Sequence, residues 1–223
     1  MKPIVLCLSG GLDSTVTGAL LRRSHRVLPI YFDYGQPAAG EELRAALAVS
    51  SRLALASLEV AKMPCWTHTP GEVTLSPFFV PHRNLMMGAL ALNYAAHVKA
   101  ETVAFGFVAD TNPHLFPDAT KLFAERLNSA LCADTLRGKS SPIAAPVARF
   151  YKRDLILAAL ENDVPLELTY SCYEARRCSR CPACVAVTTA FAEAEGSIDV
   201  DRRGLLERRN PYRSFPTVVS SPR

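Results

Sequence analysis

Long hydrophobic runs are missing from this sequence, and their absence excludes a membrane-spanning class. Of the 223 residues, 49% are hydrophobic, yet no uninterrupted apolar stretch approaches the length of about 20 residues that a spanning helix needs. The first residues also lack the long apolar segment and the small-residue cleavage site of a signal peptide. We therefore expect a cytoplasmic protein with no membrane partner, built as one sizeable domain with a small appendage.

Strong charge of either sign is also absent. The formal net charge is only +4, and much of the excess comes from arginines near the C-terminus, between Arg202 and Arg213. A basic tail can contact nucleic acid through its phosphates, but no interleaved pattern of aromatic and basic residues accompanies these arginines. We therefore expect a solvated end and no nucleic-acid partner.

What the sequence does contain is a regular alternation of strand-like and helix-like segments. The predicted strands are residues 4–8, 27–32, 58–61 and 102–108, and the predicted helices are residues 13–23, 41–55, 84–99, 116–131 and 151–162. Such alternation is typical of parallel βαβ units in a doubly wound α/β sheet. We expect this domain to span residues 1–165 and a small extension to span 166–223. The long loop at 62–81 shows no pattern that we can interpret.

The first predicted strand ends in a pair of glycines, Gly10 and Gly11. Ligands of an open parallel sheet bind at the carboxyl ends of its strands, and adjacent glycines let backbone N–H groups form an anion-binding nest. No lysine follows, which excludes the Walker loop, and the dinucleotide pattern G-x-G-x-x-G is absent. Asp13 makes sense as a helix cap or as a ligand for Mg²⁺ carried by a nucleotide. The alternative is a tight turn without a ligand.

Four of the seven cysteines are crowded near the C-terminus in the pattern C-x5-C-x2-C-x2-C. They are Cys172, Cys178, Cys181 and Cys184. In a reducing compartment such crowding favours a metal over disulfides, and four thiolates can close a tetrahedral Zn²⁺ site. An iron–sulfur cluster is the alternative, but in ferredoxin patterns the fourth cysteine lies downstream rather than upstream. The spacing therefore favours zinc.

Together, four motifs occur in the order typical of the 7-cyano-7-deazaguanine synthase family. They are S-G-G-x-D-S at 9–14, F-D-Y-G-Q at 32–36, V-P-x-R-N at 80–84, and Ser-Cys-Tyr followed by three cysteines at 171–184. The first motif also resembles the loop of the N-type ATP pyrophosphatases, which split ATP into AMP and pyrophosphate. The likeness runs from residue 4 to about residue 191. It implies an adenine nucleotide alpha hydrolase-like, Rossmann-like fold with a zinc-binding C-terminal extension.

The resemblance also implies a reaction, that of an ATP-dependent carbon–nitrogen ligase. ATP would adenylate the carboxylate of 7-carboxy-7-deazaguanine, ammonia would displace AMP to give an amide, and a second ATP would dehydrate the amide to the nitrile. The implied cofactors are ATP, Mg²⁺ and Zn²⁺. The implied partners are the small deazaguanine substrate, ammonia and a second copy of the chain in a homodimer.

Roles for individual residues follow from the same resemblance. The implied catalytic residues are Asp13, Arg83 and Lys152. The implied ATP-binding residues are Leu8, Ser9, Gly10, Gly11, Leu12, Asp13, Ser14, Phe32, Tyr34, Gly35, Gln36 and Gly106. The implied substrate-binding residues are Arg83, Asn84, Asp110, Phe116 and Asp118. The alternatives are a surface arginine beside a helix cap for Arg83, a solvated lysine for Lys152, and a first-turn aspartate that stabilises a helix dipole for Asp118.

The segment that resembles the family's substrate loop departs from the usual pattern. The family reads D-x-S-G-Y-P-D-C-R, whereas this chain has A-D-T-N-P-H-L-F-P-D-A-T at 109–120. Pro117 and Asp118 remain, but Ala119 and Thr120 replace Cys-Arg, and His82 replaces the glycine of V-P-G-R-N. These differences leave open a relative that stops at the amide or joins the carboxylate to another amine, such as a protein N-terminus in bacterial defence. A tRNA-modifying ATP pyrophosphatase and a non-catalytic nucleotide-binding module are further alternatives.

Overall fold

A five-stranded parallel sheet forms the centre of the computed structural model, which describes residues 1–64, 78–132 and 142–213. The strands are β1 (Lys2–Cys7), β2 (His25–Asp33), β3 (Glu59–Lys62), β4 (Thr102–Ala104) and β5 (Ile143–Ala144). The helices are α1 (Leu12–Leu21), α2 (Ala39–Arg52), α3 (Arg83–His97), α4 (Lys121–Cys132), α5 (Lys152–Glu161), α6 (Pro182–Glu195) and α7 (Val200–Arg209). The sheet order is β3-β2-β1-β4-β5, and every neighbouring pair is parallel.

The sheet is doubly wound, as the alternation of segments predicts. Successive side chains of β1 point to opposite faces: Ile4 and Leu6 pack in one core, and Val5 packs in the other. The first core receives side chains of α1, α2, α5 and α6, and the second receives those of α3 and α4. Because the strand order reverses between β1 and β4, a crevice opens there at the carboxyl ends of the strands.

Two predicted elements extend at least four residues beyond the observed ones. The strand predicted at 102–108 ends at Ala104, although the Phe105 N–H still donates to the Ala144 carbonyl at 2.9 Å. Beyond it the chain packs on α1, since a Cβ on Gly106 would lie 2.9 Å from the Ser14 backbone. The helix predicted at 116–131 begins only at Lys121. Thr120 is extended there, and its hydroxyl accepts the Phe123 N–H at 3.1 Å, which caps α4.

The C-terminal region contains two helices that the sequence pattern did not predict. Helix α6 packs along α5, and its Val187 and Phe191 are buried in the same core as Leu155. Because α5 and α6 share one core, their packing does not mark a boundary, and the domain boundary near residue 165 stays a prediction. Most of the loop 62–81 and the last ten residues of the chain lie outside the described residues. Within the described ranges, no helix combines the length and apolar character needed to cross a bilayer.

The turn after β1 depends on the absence of a side chain at Gly10. Its φ is +77°, and a Cβ there would lie 2.5 Å from the Glu42 carbonyl oxygen and 2.7 Å from the Ala46 nitrogen. Both obstacles are backbone atoms of α2, which cannot rotate away. Gly10 therefore allows the loop between β1 and α1 to lie against α2.

We predict that Gly10→Ala lowers the free energy of unfolding by about 2 to 4 kcal/mol, because a left-handed backbone and an overpacked contact both disfavour alanine. Urea denaturation measures the change. Gly40→Ala is the matched control: Gly40 is an exposed residue of α2, a Cβ added there would meet nothing within 4 Å, and alanine is neutral or stabilising at such a position. Equal stability of the two variants would contradict the prediction.

Candidate active site and metal centre

A cavity of about 390 Å³ opens at the carboxyl edge of β1, β2 and β4, a size suited to a small-molecule ligand. Most residues that the sequence singled out lie on its surface. They are Leu8, Ser9, Gly11, Leu12, Asp13, Ser14, Phe32, Tyr34, Gln36, Arg83, Asn84, Gly106, Asp110, Phe116 and Lys152. Gly10, Gly35 and Asp118 are not on this surface. The fold therefore brings the predicted site residues together, and their individual roles stay predictions.

The loop between β1 and α1 presents the positive end of a helix to the cavity. The first N–H groups of a helix have no acceptor within it and form the positive end of its dipole. Here the Gly11 N–H donates to Ser9 Oγ at 3.2 Å, and the Leu12 N–H donates to Ser171 Oγ at 3.3 Å. The hydroxyls of Ser9 and Ser14 are 3.1 Å apart and hydrogen-bonded. Backbone N–H groups and hydroxyls hold phosphate in such loops, and here the Gly11 and Leu12 N–H groups are paired with serine oxygens.

Lys152, at the start of α5, supplies the positive charge that the loop itself lacks. Its ammonium contacts both carboxylate oxygens of Asp13, although the two residues are 139 positions apart in the chain. The lysine side chain is only 10% exposed and that of Asp13 is 27% exposed. The Lys152 N–H donates to Asp110 Oδ2 at 3.3 Å, which fixes the start of α5. The ion pair neutralises Asp13, so that the carboxylate need not repel an anion on the loop.

A buried hydrogen-bond network supports the segment after β2. Gln36 accepts the Tyr34 N–H at 2.9 Å and donates to the Tyr31 hydroxyl at 2.9 Å and to Glu42 at 2.7 Å. Burial raises the pKa of the Glu42 carboxyl, and the hydrogen bonds from Gln36 and Tyr31 act in the opposite direction. Tyr31 and Glu42 both line the cavity, and neither was predicted from the sequence. The available signal was that Glu42 shares a helical face with the buried residues of α2.

Arg83 opens α3 beside the same network. Its guanidinium donates to the Tyr34 hydroxyl at 3.0 Å, while its Nε is buried without a hydrogen-bond partner among the described residues. The preceding residue, His82, has a φ of +59°, which is a conformation that favours glycine. This explains why a glycine is usual at that position of the motif. The strained turn points the Arg83 side chain at the cavity.

Asp118 lies behind the cavity wall as a buried carboxylate. Both of its oxygens lack a hydrogen-bond partner among the described residues, and the Asn84 side chain donates to its backbone carbonyl at 2.8 Å. Burial raises the pKa of the Asp118 carboxyl, and the Arg83 guanidinium lowers it. A buried carboxylate with unsatisfied oxygens is costly. The predicted role of Asp118 in substrate binding stays a prediction.

Aromatic rings form another side of the cavity. Tyr173, directly after Cys172, lies with its ring centroid 4.9 Å from that of Phe78 and 6.1 Å from that of Phe116. Tyr173 and Phe116 both line the cavity. Flat aromatic surfaces of this kind favour planar rings. In the sequence, Tyr173 stood out only as part of a cysteine motif and was not assigned to the site.

The four clustered cysteines meet beside this aromatic side. Their sulfur atoms lie within 4.8 Å of one another, and a zinc tetrahedron with Zn–S bonds of about 2.3 Å separates its sulfurs by about 3.8 Å. Hydrogen bonding to Cys184 lowers the pKa of the Cys181 thiol, which favours the thiolate form that binds metal. The donor set thus fits a thiolate-bound metal ion. Burial raises the pKa of the isolated Cys7 thiol far above its usual value, which suits a core residue.

Comparison with known proteins identifies a family. The family model described as "Queuosine biosynthesis protein QueC" matches residues 3–76 and 67–195. A protein named 7-cyano-7-deazaguanine synthase from Acidobacterium capsulatum is 30% identical over 213 residues, which cover 86% of this chain and 92% of that protein. A protein of the same name from Prochlorococcus marinus is 32% identical over 213 residues, which cover 85% of this chain and 93% of the relative.

A solved structure supports the fold. The U34-tRNA thiolase NcsA from Methanococcus maripaludis, described with its [4Fe-4S] cluster, aligns with a TM-score of 0.53 and 16% identity. The alignment covers 97% of this chain and 70% of the thiolase. At this identity the likeness shows a shared fold and does not transfer the cluster or the substrate.

We predict that the purified protein contains about one zinc ion per chain, bound by the four thiolates. Cys184→Ser should reduce zinc affinity more than about 100-fold, since losing a ligand costs more than losing an outer-shell partner. Cys7→Ala is the matched control and should keep its zinc. Elemental analysis measures the metal content. Iron with the visible absorption of an iron–sulfur cluster, or full zinc content in the Cys184 variant, would contradict the prediction.

Proposed function

The chain belongs to the QueC family of queuosine biosynthesis proteins, and we propose on this premise that it converts 7-carboxy-7-deazaguanine and ammonia into 7-cyano-7-deazaguanine. In the first half of the reaction, a substrate carboxylate oxygen attacks the α-phosphorus of ATP and pyrophosphate leaves. Ammonia then displaces AMP from the adenylate to give the amide. In the second half, the amide oxygen attacks the α-phosphorus of another ATP and pyrophosphate leaves, and loss of AMP and the two N–H protons then gives the nitrile.

One observation carries the nucleotide part of this proposal: the convergence of the glycine loop, Asp13 and Lys152 at one cavity. The first-turn N–H groups of α1 hold the phosphates, and Lys152 balances their charge. When the triphosphate arrives, the Lys152 ammonium turns from Asp13 toward it. The exposed part of the Asp13 carboxylate would hold the Mg²⁺ that ATP carries, and this ion would supply positive charge to the phosphates. The protein contributes positioning and electrostatics, with no nucleophilic side chain.

The base occupies the aromatic side of the cavity. Phe116 and Tyr173 pack against the planar deazaguanine ring, and Arg83 faces its carboxylate. Asn84 and Asp110 complete the polar lining. Because Asp118 is buried behind the wall, it accepts N–H donors of the base only after the segment around it shifts. The four cysteines hold Zn²⁺ as a structural ion and do not take part in the chemistry.

A second candidate keeps the adenylation step and changes its outcome. The substrate segment of this chain has Ala119 and Thr120 where the family has Cys-Arg, and Ala119 lines the cavity. The arginine of that pair corresponds to Thr120, whose hydroxyl caps α4, so this chain has no guanidinium at that position. Such a protein stops at the amide, or joins the activated carboxylate to another amine such as a protein N-terminus.

We predict AMP, pyrophosphate and the nitrile when the protein is incubated with ATP, Mg²⁺, 7-carboxy-7-deazaguanine and ammonia. Mass spectrometry identifies the base products, and omission of the base is the control for idle ATP cleavage. Accumulation of the amide or the adenylate supports the second candidate. Absence of AMP under every one of these conditions contradicts both candidates.

Replacement of the lysine in the ion pair tests the nucleotide site. We expect Lys152→Met to lower kcat/KM for ATP by about 10- to 100-fold, the effect of one hydrogen bond to a charged group of about 1.5 to 3 kcal/mol. Lys121→Met is the matched control, because Lys121 also opens a helix but is exposed and pairs with Glu125. Steady-state kinetics with varied ATP measures both variants. Equal activity of the two would argue against a phosphate role for Lys152.

A further inference from the structure

We propose that Ser171 belongs to the nucleotide site and couples it to the four-cysteine cluster, so that metal and nucleotide stabilise each other's binding. This inference rests on the proposed function, since it places phosphate on the loop after β1 and zinc on the cysteines. It assigns a role to a residue that the sequence marked only as the one before Cys172. Three observations carry it.

The first observation is a direct contact between the metal segment and the glycine loop. The Tyr170 N–H donates to the Gly10 carbonyl at 2.9 Å, and Ser171 Oγ accepts the Leu12 N–H at 3.3 Å. A Cβ on Gly11 would lie 3.5 Å from Ser171 Oγ, so the two segments are in van der Waals contact. Leu12 and Ser171, which are about 160 positions apart in the chain, thus line the same cavity.

The second observation concerns the hydrogen-bonding capacity of the Ser171 hydroxyl. A serine hydroxyl has one proton to donate and two acceptor lone pairs. The Leu12 N–H occupies one lone pair, and among the residues that the structure describes no acceptor takes the hydroxyl proton, which is therefore available for an oxygen at the N-terminus of α1. A phosphate oxygen held by the first-turn N–H groups lies within reach of this hydroxyl. Ser171 therefore adds a side-chain donor to a loop that otherwise relies on backbone groups, Ser9 and Ser14.

The third observation is that the cysteine cluster holds the Ser171 segment in place. Cys172 is fully buried, and its sulfur accepts the backbone N–H groups of Glu174 and Cys178, each at 3.4 Å. Further along, Pro182 and Ala183 lie between the ligands Cys181 and Cys184 and also line the cavity. A metal ion that ties the four sulfurs together therefore fixes two separate parts of the cavity wall.

Arg177, which lies between Cys172 and Cys178 in the sequence, also contacts the residues that precede Ser171. Its guanidinium donates to the Thr169 carbonyl at 2.8 Å and lies 5.1 Å from the centroid of the Tyr170 ring. The Tyr170 hydroxyl donates to the Glu174 carbonyl at 2.8 Å. The residues on both sides of Ser171 are thus bonded to the loop that carries the cysteines. Loss of the metal releases the cysteine-bearing loop. It therefore also releases the Ser171 hydroxyl, which accepts the Leu12 N–H.

Coupling of this kind is reciprocal by thermodynamic necessity. If bound zinc increases the affinity for nucleotide, bound nucleotide increases the affinity for zinc by the same factor. The reciprocal effect gives a measurement that does not depend on catalysis. We expect a coupling of about tenfold, which one charge-assisted hydrogen bond supplies.

The experiment measures the rate of zinc release to a chromogenic chelator from the intact, zinc-loaded protein. It is run with and without saturating α,β-methylene-ATP and Mg²⁺, since this analogue cannot be split between its α- and β-phosphates. We expect the analogue to slow zinc release by about tenfold. Calorimetry on the same samples gives the dissociation constant of the analogue. Wild-type protein alone suffices for this comparison.

Variants of the segment identify the group responsible. Ser171→Ala should bind the analogue about tenfold more weakly and lose most of the protection against zinc release, and Ser171→Thr, which keeps the hydroxyl, should restore both. Thr169→Val is the matched control: it removes a buried hydroxyl of the same segment that donates to the Leu166 carbonyl instead of the glycine loop. This control should behave like wild type in both measurements.

The outcomes separate this inference from the function on which it rests. If wild-type protein does not bind the analogue, the proposed function is wrong and the inference is wrong with it. If wild-type protein binds the analogue but releases zinc at an unchanged rate, only the coupling is wrong. If the protection is present and Ser171→Ala retains it, the coupling does not pass through Ser171, and the assignment of this residue is overturned.

Discussion

The contact between Asp13 and Lys152 is the interaction on which the chemistry proposed for this protein depends. It joins the first turn of α1 to the first turn of α5 across the crevice of the sheet. In a Walker loop, the lysine is part of the loop itself. Here a distant helix supplies the charge, so the loop becomes competent for an anion only when the sheet, α1 and α5 are all assembled. The proposed nucleotide site therefore depends on an ion pair that forms only in the folded chain.

The topology makes this arrangement possible. Strand β1 is central, and its carboxyl end lies beside those of β2 and β4, where open α/β sheets bind ligands. Gly10 and Gly106 allow two close backbone approaches at this edge, one to α2 and one to α1. The cysteine-bearing segment then covers the same edge from the C-terminal side. Several separate parts of the chain thus contribute to one cavity, and none of them forms it alone.

Much of the fold followed from hydrophobic periodicity, because the strands β1 and β2 and the helices α1, α2, α3 and α5 are long and regular. The misses have physical causes. Strand β5 has two residues, too few for any periodic signal. Strand β4 is also short, and it pairs with β5 over only two residues. Thr120 interrupts a helical pattern through its own hydrogen bond to the backbone. Helix α6 is rich in alanine and apolar on most sides, which gives a weak amphipathic pattern.

The site was only partly predictable for a related reason. Loop residues such as Asp13 belong to local motifs, and motifs are visible in a sequence. Ser171 and Tyr173 belong to the cysteine motif and Glu42 lies on the buried face of α2, but these patterns do not show that the three residues reach the cavity. The partner of Asp13 was named only because its segment resembles that of a family, and the ion pair itself required the structure. Long-range pairing of charges is the information that a single sequence lacks.

The central claim is that the triphosphate of ATP rests on the loop between β1 and α1, balanced by Lys152. A crystal structure of the protein with α,β-methylene-ATP and Mg²⁺ tests it most directly. The claim predicts phosphate oxygens within hydrogen-bond distance of the first-turn N–H groups of α1, with the Lys152 ammonium turned from Asp13 toward them. A triphosphate bound elsewhere, with the contact between Asp13 and Lys152 unchanged, would contradict it.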